Sequence, residues 1–442
     1  MAGFLNPRTV PLIVILCTYL YNYHLQRPIK VLGIFRTPNS TVVPEGDFFV
    51  IEDTTHCEDL HYYPLSNEIF TACESSYGTR HSWFPALEHL NVTGIPLNGN
   101  LQVIDARTHK SRTLVLEGFD GSFVTHGIDV ISDPEKPEGE AVYIFAVNHL
   151  PNPEHFGENG NPEAPKARSV VEVFHHALGS NTAKHIRTVW DPLVTTPNDI
   201  VAVSPNSFFV TNDHFHREGF LRVIEDIFLA IKWTNTIYVE FTGPASPEDD
   251  SKGVKASVAL ENMHNNNGLG HGRTPDEAVI VECSSGEMNI GLIRDKVIEV
   301  KDKILLDTVI DNPSYFSDPY ADETFDASGY VNCGSTQPVH FAANKGKWEA
   351  TDAIMVLKTS PAKKGDSGDE ASKWDTKLIF EDDGHRIRTC SSAVLVAIDP
   401  KEEGASDELG CMRRDTGREM RLPSRLTCRL VCRCVYLSDK GR

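Results

Sequence analysis

Four times along this chain a polar pair, or a polar residue beside a glycine, runs into a strand-like stretch, a proline-containing polar turn and a second run of β-branched and aromatic residues. The stretches are "CEDLHYYPLSNEIFTACE" from Cys57, "HGIDVISDPEKPEGEAVYIFAVNH" from His126, "NDIVAVSPNSFFVTND" from Asn198 and "NGLGHGRTPDEAVIVEC" from Asn267. Each reads as a hairpin. Counted from Glu58, His126, Asn198 and Asn267, the starts lie 68, 72 and 69 residues apart, and "DN" at Asp311 follows 44 residues on. Repeats of about 40–50 residues stretched by insertions are the mark of an all-β propeller, whose four-stranded blades pack face to face.

In such a ring the innermost strand of each blade lines the central channel, so residues at equivalent strand ends converge. Glu58, Asp59, Asn198, Asp199, Asn267, Asp311 and Asn312 are therefore expected to gather their oxygens at one place. Each alone is more readily a turn former or a cap; the repetition argues for a site. Glu58, Asn198, Asn267, Asp311 and Asn312 offer carboxylate and amide oxygens with no thiolate or imidazole, which favours calcium over zinc or copper. The interleaved amides limit the self-repulsion of an empty cage. A metal that only plugs and stiffens the channel is the competing reading.

His126 stands at one of these strand starts and His149 at the end of the following strand, so the hairpin can return it to the same face. An imidazole near neutrality can deprotonate water, and a second can orient it. Beside a cation that polarises a carbonyl or phosphoryl oxygen, the supported chemistry is hydrolysis of an ester, lactone or phosphotriester. The chain has no GxSxG or HExxH segment, and "CRLVCRC" at Cys428 is too irregularly spaced for a strong zinc signal.

A net charge of −20 argues against a nucleic-acid surface. "VPLIVILCTYLYNY" (Val10–Tyr23) has the length of a signal peptide or signal-anchor, so 1–27 is read as that segment; a buried first strand is the alternative. The sequons at Asn39 and Asn91 are consistent with the secretory route and with a secreted or membrane-associated protein. Cys57 and Cys73, or either with a later cysteine, can bridge in an oxidising compartment. Segments 150–169, 242–253 and 360–373 read as surface loops. "REGFLRVIEDIFLAIKW" predicts a helix near 218–232, its apolar residues packed on the ring rather than facing a membrane or substrate.

At "EDL" (Glu58), "HGI" (His126), "VNH" (ending at His149), "NDIVAV" (Asn198), "TNDH" (ending at His214), "NNG" (with Asn267) and "DN" (Asp311) the sequence resembles the serum paraoxonase/arylesterase family, from about Glu58 to Asp399. That resemblance implies a six-bladed propeller over 28–400 with two central calcium ions, hydrolysing small-molecule lactones, aryl esters and some organophosphates. It implies a catalytic calcium on Glu58, Asn198, Asn267, Asp311 and Asn312, and a structural one on Asp59, Asp199 and the backbone carbonyl of Ile128. It makes His126 and His149 the histidine dyad, with His126 activating water. It also implies lipid or membrane association, with Phe220–Ile231 as a candidate lid.

Two features depart from the family. Its disulfide joins an early cysteine to the last strand, whereas Cys57 here lies directly against Glu58. The tail 401–442 is basic, with eight Arg and one Lys against three acids from Cys411, in an otherwise acidic chain. It reads as out of frame with the rest, as a gene-model artefact would, and puts closure of the last blade in question. The rivals are a gluconolactonase- or strictosidine-synthase-like propeller and a non-catalytic, calcium-stabilised binding propeller.

Overall fold

The computed structural model describes residues 10–43, 48, 50, 51, 53, 54, 56–93, 96–243, 249–340, 352–362, 373–399 and 428–436. Each repeated hairpin of the sequence is the inner edge of one antiparallel sheet. The innermost strands are β1 (Leu60–Tyr63), β2 (Thr125–Ser132), β3 (Pro197–Ser204), β4 (Asn266–His271) and β5 (Ile310–Phe316). Behind them three sheets have four strands and one has five, the fifth strand being Val115–Glu117, parallel to Thr182–Val189.

The last sheet has six strands, because β6 (Arg388–Ala397) meets β5 through a parallel bridge at Asn312 and Ser392 and carries Cys428–Tyr436 antiparallel on its other side. The described residues thus give a propeller-like arrangement of five sheets, where six separate blades were expected. Part of the basic tail is strand partner to β6; residues 400–427 and 437–442 lie outside the described residues.

Apolar side chains fill the seams between successive sheets. Phe70, Phe123 and Phe174 close the first seam, and Phe145, Phe208 and Val239 the second. β6 serves two seams, since strand side chains alternate. Ala393 and Leu395 pack against Val331 and Phe380, while Val394 and Val396 pack against Leu60 and Ile69 of the first sheet. Each fully buried Phe or Val contributes roughly 1.5–3 kcal/mol. A disulfide between Cys333 and Cys390 joins the fifth sheet to β6, and a second joins Cys57 to Cys73 across the first hairpin. The early cysteine therefore bridges to its neighbour and not to the last strand.

The N-terminal segment is helical (Val10–Leu20, then a π turn and Gln26–Val31), not a buried strand, and Leu12, Ile15 and Leu16 are exposed. Among the described residues no helix is long and apolar enough to cross a membrane. Arg27 ties its base to the ring, donating to Ser285 O (2.6 Å) and Leu306 O (2.6 Å).

Four of the inner strands carry a bulge at the same level. The pairing jumps from Thr125/Asn148 to Ile128/Ala146, from Pro197/Asn212 to Ile200/Val210, from Asn266/Glu282 to Leu269/Ile280, and from Ile310/Gly334 to Pro313/Asn332. One residue is in excess each time, and the two unpaired positions are His126–Gly127, Asn198–Asp199, Asn267–Gly268 and Asp311–Asn312. A bulge re-aims side chains and breaks strict alternation, so both members of each polar pair can reach the axis. Gly127 and Gly268 sit where strands touch: a Cβ on Gly127 would stand 2.5 Å from Asn198 O, and one on Gly268 2.8 Å from Asp311 O. Gly127→Ala is expected to lower stability by about 1–3 kcal/mol in urea unfolding, because backbone must move; an unchanged midpoint would show the contact to be soft.

Candidate functional site

Three of the bulges carry Asn198–Asp199, Asn267 and Asp311–Asn312, and Glu58 and Asp59 stand just before β1. Glu58, Asp59, Asn198, Asp199 and Asn312 are buried, while Asn267 and Asp311 are partly exposed on the open side. Asn312 Nδ2 donates to Glu58 Oε2 at 3.1 Å, across 254 residues of sequence. Asp59 accepts from Leu60 N (2.8 Å) and Ile128 N (3.1 Å), and Asp199 from Ile200 N and Leu269 N (both 2.8 Å). The sequence pair therefore separates: the oxygens of Asp199 are held by backbone amides, whereas Asn198 Oδ1 has no hydrogen-bond partner.

That orphaned atom is one of a group. Asn198 Oδ1, Asn267 Oδ1, Asp311 Oδ1 and Asn312 Oδ1 are all enclosed and unpartnered. Buried acceptors without donors are costly, about 1–3 kcal/mol each and more for charged groups. The carboxylates show the same tension. Burial, then Asp311 and Asp59, pushes Glu58 well above its ordinary value. Burial lifts Asp59 to about 6 and, with Asp59 and Asp213 adding, Asp311 to about 8. Burial and then Asp59 push Asp199 up as well. A hard divalent cation would relieve all of these at once, so the donor set fits calcium. Among the described residues no three His, Cys, Asp or Glu side chains form a metal-holding group; the orphaned oxygens are mostly amides.

Beside Glu58 stands the histidine pair. His126 Nδ1 and His149 Nε2 are 2.9 Å apart, and His126 Nε2 lies 3.7 Å from Glu58 Oε1. His149 Nδ1 is 2.8 Å from Ser169 Oγ. If His149 donates Nδ1–H to Ser169 and accepts from His126 at Nε2, the lone pair of His126 Nε2 faces the metal side. Burial, then His149 and Arg80, lowers His126 well below its ordinary value, and burial lowers His149 to about 3. Both rings are neutral near pH 7. Phe84 lies edge-on to each at 4.9 and 5.7 Å, and Trp83 Nε1 donates to His149 O.

Sequence reasoning missed several neighbours. Ser169 gave no signal, being one serine inside a strand, and the aromatic wall comes from a short hairpin (Trp83–Phe84 with His89–Leu90). Beyond Asp59 and Asp199 the channel widens into a cavity of about 390 Å³. There Asp129 accepts from His61 Nδ1 and His271 Nε2, each at 2.8 Å.

The helix expected near 218–232 covers Phe220–Ile227 and is turned inside out. Arg222 and Glu225 are buried, whereas Phe220, Ile227 and Phe228 are 74, 61 and 54% exposed. The reason is polar anchoring. Arg222 donates to Arg217 O and Ala86 O, and Glu225 accepts from Phe215 N and His216 N, so the charged face is clamped to the ring. The expected packing of the apolar face is thereby corrected.

Residues 83–257 match the family model described as Arylesterase. Human serum paraoxonase/arylesterase 2 is 29% identical over 229 residues, 49% of this chain and 53% of that protein; the chicken protein of the same description is 33% identical over 144 residues, 32% and 35% of the two. Over this part of its length the chain is similar to the serum paraoxonase/arylesterase family. It spans about half the length of the curated relatives it matches. A Pseudomonas aeruginosa periplasmic gluconolactonase is 10% identical, with a TM-score of 0.36 over 76% of this chain and 74% of that one, too slight a likeness to bear on function.

Close to this site, His214 pairs with Asp213 (3.0 Å) and Asp226 (2.7 Å). Burial alone would lower its pKa, but Asp213 and Asp226 outweigh it and raise it to about 9 from 6.5. Because the folded value is the higher, this stabilisation is full below pH 6.5 and lost as pH rises through about 9. Wild type should thus lose urea stability between pH 7 and 9.5 more steeply than His214→Gln; parallel curves would show that the ion pair is not linked to folding.

Proposed function

We propose that this chain is a calcium-dependent hydrolase of lactones and aryl esters, with activity reaching to phosphotriesters, in which His126 is the water-activating base. The observation that carries it is the meeting, at four bulges, of orphaned amide and carboxylate oxygens with a buried pair of neutral imidazoles. Glu58, Asn198, Asn267, Asp311 and Asn312 would hold one Ca²⁺, and Asp59, Asp199 and the Ile128 carbonyl a second. Bound there, calcium supplies charge stabilisation for an oxyanion developing on the substrate carbonyl. The chain's own residues do the rest. His126 Nε2 takes a proton from water, His149 holds the His126 ring and receives the proton's charge by relay, and Phe84 and Trp83 exclude bulk solvent.

The same reading extends to architecture and location. β6 with its partner strand stands as a sixth, two-stranded blade between the fifth sheet and the first, supported by its packing on both. The exposed face of Phe220, Ile227 and Phe228 suits a lipid surface, and the N-terminal apolar helix suits a signal or anchor of a secreted or membrane-associated protein. A calcium that merely stiffens the channel is the second reading, favoured by the enclosed Asp59–Asp199 pair.

Turnover of phenyl acetate and a lactone panel, with and without chelator, tests the proposal. Chelation should abolish hydrolysis; activity that survives it would sink the mechanism. Asn267→Ala should lose nearly all turnover. Asn198→Ala should cost activity before stability and Asp199→Ala stability before activity, and loss of stability alone in both would make the metal a plug.

A further inference from the structure

The groove that leads away from His149 holds a cation that, among the described residues, makes no ion pair with a carboxylate. A cavity of about 370 Å³ has Trp190, Pro153, Pro165 and Val194 on its apolar side and Asn152, Glu154 and Arg168 on its polar side. It shares Ala167, Ser169 and Arg217 with a smaller pocket whose wall includes His149 and Asp213. Ser169 bonds His149, so the groove begins one side chain from the imidazole pair.

Arg217 stands where the two spaces meet. Its Nε donates to Thr195 O at 3.2 Å, and among the described residues its guanidinium meets no carboxylate at ion-pair distance. Burial lowers its pKa and no neighbouring acid offsets that. The other cations of the groove are engaged. Lys166 pairs with Glu218 (2.5 Å), Arg168 makes two bonds to Asp250 (2.8 and 2.7 Å) and lies over Trp190, and Arg222 holds backbone carbonyls. Glu154 borders the larger cavity but makes no ion pair with Arg217.

We infer that Arg217 is a specificity-determining residue, and that the preferred ester or lactone carries a carboxylate remote from the reacting carbonyl. A guanidinium presents a planar fork that matches a carboxylate through two parallel N–H···O bonds. The apolar side of the cavity lowers the local dielectric and strengthens the pairing above its worth on an open surface. It also accommodates a carbon linker between the reacting carbonyl and the anion. In a chain of net charge −20 an anion gains nothing from the overall field, so a lone local cation is what selects it.

The inference rests on the ester-hydrolase reading, and the test separates the two. p-Nitrophenyl valerate and mono-p-nitrophenyl glutarate share leaving group and chain length and differ at the far end, methyl against carboxylate. In wild type the ratio of kcat/KM, glutarate over valerate, should exceed that in Arg217→Gln by about tenfold to a hundredfold, mainly through KM. Arg217→Lys, with the charge but not the fork, should recover part of it. An equal ratio in wild type and Arg217→Gln overturns the inference. If wild type cleaves neither ester, the hydrolase reading fails, and calorimetry with monomethyl glutarate decides this one. Binding at least tenfold weaker in Arg217→Gln supports it; equal binding, or none to wild type, refutes it.

Discussion

Four carboxylates, those of Glu58, Asp59, Asp199 and Asp311, are held within electrostatic reach of one another at the centre of the ring. Water is largely excluded there, and the protein's own cations offset little: Arg80 acts on Glu58 and His61 on Asp59, each behind larger opposing effects. A fold left to its own interactions would not gather unpaired acids in this way, since isolated buried charge costs far more than a hydrophobic replacement. The arrangement makes physical sense around a cation. The bulges, the close strand contacts at Gly127 and Gly268, and the enclosed amide oxygens all serve that gathering.

Much of this was legible in the sequence for a definite reason. Asn198–Asp199 and Asp311–Asn312 are polar pairs next to β-branched runs, and their recurrence with a hairpin behind each pointed to equivalent places in a ring. The bulges were not legible, because register depends on a partner strand that the local sequence does not name. Strict alternation would have sent Asn198 and Asp199 to opposite faces; the bulge instead turns both inward, and only their hydrogen-bond surroundings tell them apart.

Elsewhere the physics that decided the outcome was non-local. Phe220, Ile224, Ile227 and Phe228 have the spacing of a core-facing stripe, yet Arg222 and Glu225 find buried backbone partners and turn part of the stripe outward. Cys57 has Cys73 directly across its hairpin and bridges there. The sheet count falls to five because Asn312 and Ser392 come close enough to bridge two neighbouring edges. Ser169 and Arg217 matter through what they stand beside, a histidine and a groove, and neither carries a sequence signal of its own.

The central claim is that the converging oxygens exist to hold metal. Calorimetric titration of chelator-stripped protein with calcium, followed by thermal melting of the same samples, tests it most directly. The account predicts two ions bound per chain and a melting temperature that rises with calcium. A stripped protein that takes up no calcium and melts at the same temperature with and without it would contradict the account.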